Sequence, residues 1–346
     1  MGQDVLLQMV DICKSFPGVK ALNNVGFSVA EGEVRALVGE NGAGKSTLMN
    51  VLSGIYPYGS YTGDIVYNGE VCKFSKITES EEQGIVIIHQ ELALVPYMTI
   101  GENMFLGNER GKAFAIDWDT TYGEADKYLK IVGLSEPSRT LIKDIGVGKQ
   151  QMVEIAKALA KHAKLLILDE PTSSLNEREV EHLFGILRML KEQGCGIIYI
   201  SHKMDEILRI SDDITVMRDG CHIATEKAEN MNMDKIIKLM VGRELKTRFP
   251  PKKNKISDVI MDVKNLSGMY SQIENINFQL HKGEILGIAG LAGSGRTEIL
   301  ESLFGLATKK SGEITINGKK ANIKNSKDAI KLAMAFSVAS PEIVPV

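Results

Sequence analysis

The chain has 346 residues, of which 44% are apolar and 25% are charged, and its formal net charge is −3. This length is typical of about two domains, and the near-neutral charge gives no electrostatic case for a nucleic-acid partner. No Cys-x-x-Cys spacing, basic-then-apolar N-terminus or apolar run of bilayer length is present, so we expect reduced thiols, no signal peptide and no membrane span.

Short apolar runs alternate with amphipathic segments along the first 245 residues. Strands are predicted at 34–38, 86–88, 165–168 and 196–200, and helices at 45–53, 150–162 and 177–193. The runs at 86–88 and 165–168 have no polar face, which is typical of strands buried in a parallel sheet. Farther along, a strand is predicted at 285–289 and a helix at 297–304. The alternation predicts an α/β fold.

An internal repeat divides the chain. Residues 22–27 align with 273–278 at an offset of 251 (273 − 22), and residues 63–65 align with 312–314 at an offset of 249 (312 − 63). A period this long indicates a duplicated domain. We therefore predict a first domain at 1–245, a polar linker at 246–258 and a partial second domain at 259–346. The alternative is one large domain with a surface loop at the linker.

A glycine-rich run follows the strand predicted at 34–38. It has the spacing of a phosphate-binding loop, Gly-x-x-x-x-Gly-Lys-Ser, in which backbone N–H groups and a helix N-terminus bind phosphate. The predicted nucleotide-binding residues of this loop are Gly39, Glu40, Asn41, Gly42, Ala43, Gly44, Lys45, Ser46 and Thr47. Lys45 would contact the β- and γ-phosphates, and Ser46 would bind Mg²⁺. The alternative is a glycine-rich turn without a ligand.

The repeat contains a second, altered loop. It keeps the glycines but has arginine in place of lysine, and its predicted residues are Gly290, Gly293, Gly295, Arg296 and Thr297. Arginine retains the positive charge without the compact ammonium group of lysine. We expect this degenerate loop to hold nucleotide at most, without turnover.

Two carboxylates end the apolar run at 165–168. Asp169 would hold Mg²⁺ directly or through water, and Glu170 would orient or deprotonate the attacking water. A pair of solvated acids beyond a core strand is the alternative. The loop upstream favours the catalytic interpretation.

With these motifs the chain resembles the ATP-binding-cassette ATPases over residues 1–335. The resemblance implies a P-loop NTPase fold: a RecA-like core, an antiparallel β subdomain and an α-helical subdomain, followed by a partial second copy. It implies that Gln90 touches Mg²⁺ and relays nucleotide state, that His202 contacts the γ-phosphate, and that Phe16 stacks on adenine. An exposed loop histidine and a core or edge aromatic are the alternatives for His202 and Phe16.

The family signature, Leu-Ser-Gly-Gly-Gln, is altered in this chain. The corresponding residues are Ile145, Gly146, Val147, Gly148 and Lys149, so the expected hydroxyl is absent at Gly146. Nucleotide sites in this family are composite, with the loop of one cassette facing the signature of another. The resemblance thus implies nucleotide-dependent pairing with a second cassette, one catalytic site and one degenerate site.

The tandem arrangement, the arginine in the second loop and the run from Met240 to Pro250 resemble the monosaccharide-importer branch of the family, which serves ribose, galactose or xylose. The runs Ile87–Pro96 and Ile145–Gln151 are most similar to the multiple-monosaccharide and xylose-type members of that branch. This implies an ATP-hydrolysing subunit with ATP and Mg²⁺ as cofactors, peripheral on the cytoplasmic face of the membrane. Its partners would be integral-membrane permease subunits, contacted by residues 91–107, and indirectly an extracytoplasmic sugar-binding protein. No nucleic-acid partner is expected.

The second copy contains no signature, paired carboxylates or switch histidine before residue 346. We therefore expect a truncated product with tight Mg-ATP binding, slow hydrolysis and exposed apolar edges in its second domain. A nucleotide-binding fragment with little turnover, and a soluble tandem ATPase acting on ribosomes or DNA, are the alternative functions.

Overall fold

A computed structural model describes residues 5–90, 92–112, 115–242, 254–269, 273–291 and 293–337. The chain divides into two compact units, 1–246 and 247–346. Residues 246–253 of the predicted linker lie outside the described residues, so the linker bounds stay a prediction.

The first unit contains two main sheets. Its strands are β1 (Val5–Phe16), β2 (Val19–Ala30), β3 (Val34–Val38), β4 (Thr62–Tyr67), β5 (Glu70–Cys72), β6 (Ile85–Ile88), β7 (Gly111–Lys112), β8 (Ala115–Ile116), β9 (Leu165–Asp169), β10 (Gly196–Ile200), β11 (Asp213–Arg218) and β12 (Cys221–Lys227). Its helices are α1 (Lys45–Leu52), α2 (Ile77–Glu82), α3 (Ile100–Phe105), α4 (Trp118–Ile131), α5 (Val147–Ala160), α6 (Glu177–Glu192), α7 (Met204–Ile210) and α8 (Met233–Val241).

The six-stranded sheet has the order β12-β11-β3-β10-β9-β6. The five strands from β11 to β6 pair in parallel, and the edge strand β12 pairs antiparallel with β11. Every residue of β3 and β10 is buried, as expected for strands covered on both faces. Because the strands are parallel, the loops that follow β3, β6, β9 and β10 leave the same edge of the sheet.

The remaining parts of the first unit are an antiparallel sheet and a helical region. The antiparallel sheet has the order β2-β1-β4-β5, and its buried face includes Leu7, Met9 and Ile12. Helices α3, α4 and α5 pack together, and their buried side chains join the core on one face of the parallel sheet. These three parts confirm the predicted P-loop fold with a RecA-like core and two subdomains.

The second unit repeats the antiparallel sheet. Its elements are β13 (Val259–Gly268), β14 (Ile276–His281), α9 (Arg296–Phe304), β15 (Lys309–Ile316), β16 (Lys319–Lys320) and α10 (Ser326–Lys331). The strand order β14-β13-β15-β16 reproduces β2-β1-β4-β5, which agrees with the duplication seen in the sequence.

The strand predicted at 285–289 was wrong, because these residues form no strand. Their counterpart in the repeat, β3, lies between β10 and β11, whereas no described strand of the second unit pairs with 285–289. An apolar segment without neighbouring strands gains neither ladder hydrogen bonds nor cross-strand packing. Ile285 is accordingly 89% exposed and Leu286 38% exposed.

Candidate functional site

The loop between β3 and α1 has close contacts that only glycine permits. A Cβ on Gly39 would lie 2.5 Å from the Met217 carbonyl oxygen, and one on Gly44 would lie 2.7 Å from the Ala21 carbonyl oxygen. Gly42 and Gly44 also have φ values of 86° and 96°, in the left-handed region that favours glycine. The loop is therefore held tightly against two neighbouring strands.

Lys45 is the first residue of α1, and its side chain is buried. Its Nζ donates hydrogen bonds to the carbonyl oxygens of Gly39 at 2.7 Å and Glu40 at 3.1 Å. Burial lowers the pKa of Lys45, and the carboxylates of Asp169 and Glu170 oppose this change. The N-cap of α1 makes no side-chain hydrogen bond, and its first turn has no acidic residue, so its N–H groups are available to an anion.

Asp169 and Glu170 lie at the carboxyl end of β9. Burial raises the pKa of Asp169, and positive charge on Lys45 opposes the shift. Burial, followed by the charge of Asp169, raises the pKa of Glu170 to about 7. A base whose pKa is near neutrality is well matched to general acid–base catalysis at physiological pH.

The backbone fixes the direction of the Glu170 side chain. Glu170 has a φ of 51°, and its N–H donates to the Ile200 carbonyl at 2.9 Å. Its Oε1 is buried without a hydrogen-bond partner in the described structure, although Nε2 of His202 lies 3.4 Å away. Partial burial and then the charge of Lys45 lower the pKa of His202, which favours the neutral ring. An unpartnered buried carboxylate oxygen is available to a water or a reacting group.

These residues surround one cavity of about 560 Å³. The predicted site residues that line it are Asn41, Gly42, Ala43, Gly44, Lys45, Ser46, Thr47, Gln90, Asp169, Glu170 and His202. Gly39 and Glu40 do not line the cavity. Gly39 approaches the Met217 backbone closely, and the carbonyl oxygens of Gly39 and Glu40 accept hydrogen bonds from Lys45. The cavity lies at the carboxyl edge of the parallel sheet, where ligands of open α/β sheets bind.

The cavity also contains residues that the sequence analysis missed. Lys20 is at the start of β2, and Asp219 and Gly220 form the turn between β11 and β12. No motif marks these positions, and only the folded arrangement of the two sheets brings them to the loop.

Phe16 is not among the residues that line this cavity. Phe16 is 37% exposed, and its ring packs edge-to-face on Tyr56 with the centroids 5.4 Å apart. The Lys14 ammonium lies 5.3 Å from the Phe16 ring centroid and 4.7 Å from that of Tyr56. The role of Phe16 in adenine stacking stays a prediction.

The altered signature forms the start of α5. Gly146 is the N-cap, and it makes no side-chain hydrogen bond. Lys149 pairs with Glu136, and a Cβ on Gly148 would lie 2.5 Å from an oxygen of Glu179. None of the signature residues, Ile145, Gly146, Val147, Gly148 and Lys149, lines the Lys45 cavity. The role of the signature residues stays a prediction.

The second loop repeats the backbone of the first but not its side-chain position. Gly293 and Gly295 have φ values of 77° and 87°, close to those of the first loop, and Arg296 begins α9 as Lys45 begins α1. Arg296 is exposed, whereas Lys45 is buried. Gly290 and Thr297 are also exposed. The charge at this position therefore extends into solvent.

Comparison with known proteins agrees with this geometry. The family model for ABC transporters matches residues 22–173 and 273–343. The chain is 53% identical over 341 residues to the xylose import ATP-binding protein XylG of Thermoanaerobacter pseudethanolicus, covering 96% of this chain and 67% of that protein. It is 54% identical over 343 residues to the L-arabinose transport ATP-binding protein AraG of Geobacillus stearothermophilus, with the same coverage.

A third relative is the galactose/methyl galactoside import ATP-binding protein MglA of Salmonella typhimurium. It is 49% identical over 334 residues, covering 96% of this chain and 66% of that protein. The chain thus spans about two thirds of the length of these three relatives. Among solved structures, the ADP conformation of an ATP-binding cassette of an ABC transporter matches with a TM-score of 0.61 and 27% identity, covering 69% of this chain and 99% of that one.

The family match covers both the Lys45 loop and the altered second loop, and the three relatives share about half of the aligned residues. On this sequence evidence and on the geometry of the cavity, the chain belongs to the ABC transporter family of ATP-binding proteins.

Proposed function

We propose that this chain is the ATP-hydrolysing subunit of an importer for monosaccharides. The observation that carries the proposal is the convergence of Lys45, Asp169, Glu170 and His202 on one cavity. The names of the three relatives assign them to the import or transport of xylose, L-arabinose and galactose, which supports a monosaccharide as the transported substrate.

ATP fits this cavity through its phosphates. The uncapped start of α1 offers N–H groups, and the Lys45 ammonium is held over the loop by two carbonyl oxygens. These weak neutral partners can be exchanged for phosphate oxygens, which accept stronger, charge-assisted hydrogen bonds. Lys45 and the helix N-terminus thus bind and orient the nucleotide.

Mg²⁺ also fits, provided that the nucleotide supplies ligands. Ser46, Gln90 and Asp169 offer oxygen donors around the same cavity. Within the described ranges, no three His, Cys, Asp or Glu side chains form a metal-binding group by themselves. Mg²⁺ prefers few protein ligands together with water and phosphate oxygens. When bound, it would neutralise charge that develops on the phosphates.

Glu170 is the proposed general base. Its buried, unpartnered Oε1 can accept a proton from an attacking water, and its raised pKa suits that transfer near neutral pH. The Nε2 atom of His202 is 3.4 Å from this oxygen. His202 would orient the Glu170 carboxylate and contact the γ-phosphate of bound ATP.

A second cassette would complete the site. Gly146 and Val147 are exposed at the uncapped start of α5, where a helix N-terminus can meet a phosphate held by another domain. We propose nucleotide-dependent pairing in which this signature faces a degenerate loop of the Arg296 type, while the Lys45 loop faces an intact signature.

The proposed permease-docking segment follows Gln90. Glu91 lies outside the described residues. Within the rest of the segment, Tyr97 is 78% exposed and Val95 is exposed, whereas Leu94 packs against the core. The exposed pair would contact permease subunits and hold the chain peripherally at the cytoplasmic face of the membrane. A sugar-binding protein would act on the chain only through that permease. In the described part of the chain, no helix combines the length and apolarity needed to cross a bilayer.

Reconstitution tests this function. The full chain and a cassette with an intact signature would be combined with a xylose permease and its binding protein in lipid vesicles, and ATP-dependent uptake of labelled xylose, arabinose and galactose would be measured. We expect uptake, and we expect Tyr97→Ala to lower permease-stimulated hydrolysis while Tyr58→Ala, at another exposed tyrosine, leaves it unchanged. Absence of uptake of all three sugars would contradict the proposal.

Nucleotide binding with slow turnover is a second candidate. It is favoured by the unpaired segment 285–289, because the second unit offers no parallel sheet among its described strands. The isolated chain would then hydrolyse ATP far more slowly than about 1 s⁻¹, the low end of ordinary enzymes. Turnover at or above that rate without added protein would exclude this candidate.

A further inference from the structure

A buried carboxylate that no motif assigns lies behind the cavity. Glu206, in α7, is only 7% exposed. Its Oε2 accepts hydrogen bonds from the hydroxyls of Thr172 at 2.7 Å, Tyr199 at 2.9 Å and Ser201 at 3.4 Å. Glu206 does not line the cavity, so it does not touch the nucleotide site directly.

The other oxygen of this carboxylate has a cationic partner. Oε1 of Glu206 lies 3.1 Å from Nζ of Lys203. The same ammonium donates to the Thr172 carbonyl oxygen at 3.0 Å, and the Lys203 N–H donates to the Ser201 hydroxyl at 3.1 Å. Both oxygens of the buried carboxylate are thus partnered, which makes the network rigid and costly to rearrange.

The partners of Glu206 belong to the two loops that carry the proposed reacting groups. Thr172 is two residues beyond Glu170 in the loop after β9, and Ser201 directly precedes His202 in the loop after β10. Tyr199 anchors the carboxylate to β10 itself. The loops meet again at the bond from the Glu170 N–H to the Ile200 carbonyl. One side chain therefore bridges the two loops whose spacing determines the distance between Glu170 and His202.

Stability alone does not account for this arrangement. Taking a carboxylate and an ammonium out of water is costly, and apolar residues of similar volume often stabilise a core as well or better. What the network gives is a fixed geometry for groups that must stay within a fraction of an ångström of their working positions.

We propose that Glu206 is a positioning residue for ATP hydrolysis, which joins the loops of Glu170 and His202 and so sets the alignment of these two side chains. This inference rests on the proposed hydrolytic function of the Lys45 cavity. It predicts that loss of the bridge slows the chemical step and leaves nucleotide binding at the Lys45 loop intact.

The test compares Glu206→Gln, Glu206→Asp and Thr172→Val in the full chain, with a second cassette present. We expect Glu206→Gln to lower kcat about 10²-fold, the cost of a displacement near 1 Å at a reacting group, with KM for ATP and the Kd for ADP within about threefold. Glu206→Asp keeps the charge and should recover part of kcat. Thr172→Val removes one hydroxyl without changing the size of the side chain, so it should lower kcat by a smaller factor.

Glu33→Gln is the matched control, because Glu33 is also a buried carboxylate, 1% exposed, but precedes β3 at the opposite end of that strand from the Lys45 loop. It should leave kcat within about threefold. A double variant, Thr172→Val with Glu206→Gln, should lower kcat by less than the product of the single effects, since the two residues share one bond.

Two results would overturn the inference. One is an unchanged kcat in Glu206→Gln. The other is a loss of kcat, of ADP affinity and of the thermal unfolding midpoint together, in both Glu206→Gln and Thr172→Val, because a purely structural role would lower all three. The proposed function fails in a different way, through the absence of hydrolysis by the unaltered chain with a second cassette present, or through survival of hydrolysis in Glu170→Gln.

Discussion

The two left-handed glycines of the phosphate-binding loop offer a matched pair of substitutions. Gly42 and Gly44 both have positive φ, but a Cβ on Gly42 would meet nothing within 4 Å, whereas one on Gly44 would lie 2.7 Å from the Ala21 carbonyl oxygen and 3.0 Å from Cδ2 of Leu22. Gly42→Ala therefore isolates the conformational cost, and Gly44→Ala adds a steric clash to it.

The two costs can be estimated separately. An alanine in the left-handed region loses about 1–2 kcal/mol relative to glycine. A clash with a backbone carbonyl cannot be relieved by a side-chain rotation, and forced overpacking costs about 1–3 kcal/mol more. We expect Gly42→Ala to lower the free energy of unfolding by about 1–2 kcal/mol and Gly44→Ala by about 2–5 kcal/mol.

The single tryptophan of the chain makes the assay specific for the first unit. Trp118 lies in α4, so urea unfolding followed by its fluorescence reports on that unit alone. ATP affinity, measured in parallel, should fall more in Gly44→Ala, because α1 begins immediately after this residue. Equal losses of stability in the two variants, or a Gly44→Ala chain as stable as the unaltered one, would refute the steric reasoning.

Further experiments test the cavity and the burial of the core. Lys45→Ala should weaken ATP binding about 10–100-fold, since a hydrogen bond to a charged group contributes about 1.5–3 kcal/mol, whereas Arg296→Ala, at the exposed counterpart, should leave equilibrium ATP binding unchanged; equal effects would contradict the assignment. Because the pKa of Glu170 is raised to about 7 and only the ionised carboxylate accepts a proton, hydrolysis should rise between pH 6 and pH 8, and a flat profile would argue against Glu170 as the base. Cys195 is buried, and burial raises its pKa to about 11, so a thiol reagent at pH 8 should modify it only after unfolding; rapid labelling of native Cys195 would contradict that burial.

The Lys45 site could be located from the sequence because each of its motifs is a short run of neighbouring residues. The loop spacing predicts a strand–loop–helix unit, and the carboxyl ends of parallel strands meet at one edge of the sheet. The convergence of Lys45 and Asp169 follows from those two rules, whereas Gln90 and His202 were predicted from the resemblance to the family. The structure brings these side chains to one cavity, while their individual catalytic roles stay predictions.

Two features could not be predicted in this way. Glu206 is joined to Thr172 and Tyr199, and a glutamate in a short amphipathic helix carries no local signal that it will be buried under two loops. The segment 285–289 has the apolar pattern of a strand, but strand formation depends on neighbours. The repeat reproduces the apolar pattern of β3 at 285–289 but not the strands that flank β3, so the strand prediction was wrong.

Glu170 is proposed to act as the general base for ATP hydrolysis in the Lys45 cavity. The most direct test measures ATP hydrolysis and equilibrium ATP binding by the full chain and by Glu170→Gln, with the cassette partner present. We expect Glu170→Gln to lose about 10²–10⁴-fold in rate, the usual contribution of a general base, and to retain ATP affinity within a few-fold. Hydrolysis that survives the substitution at the original rate would contradict it.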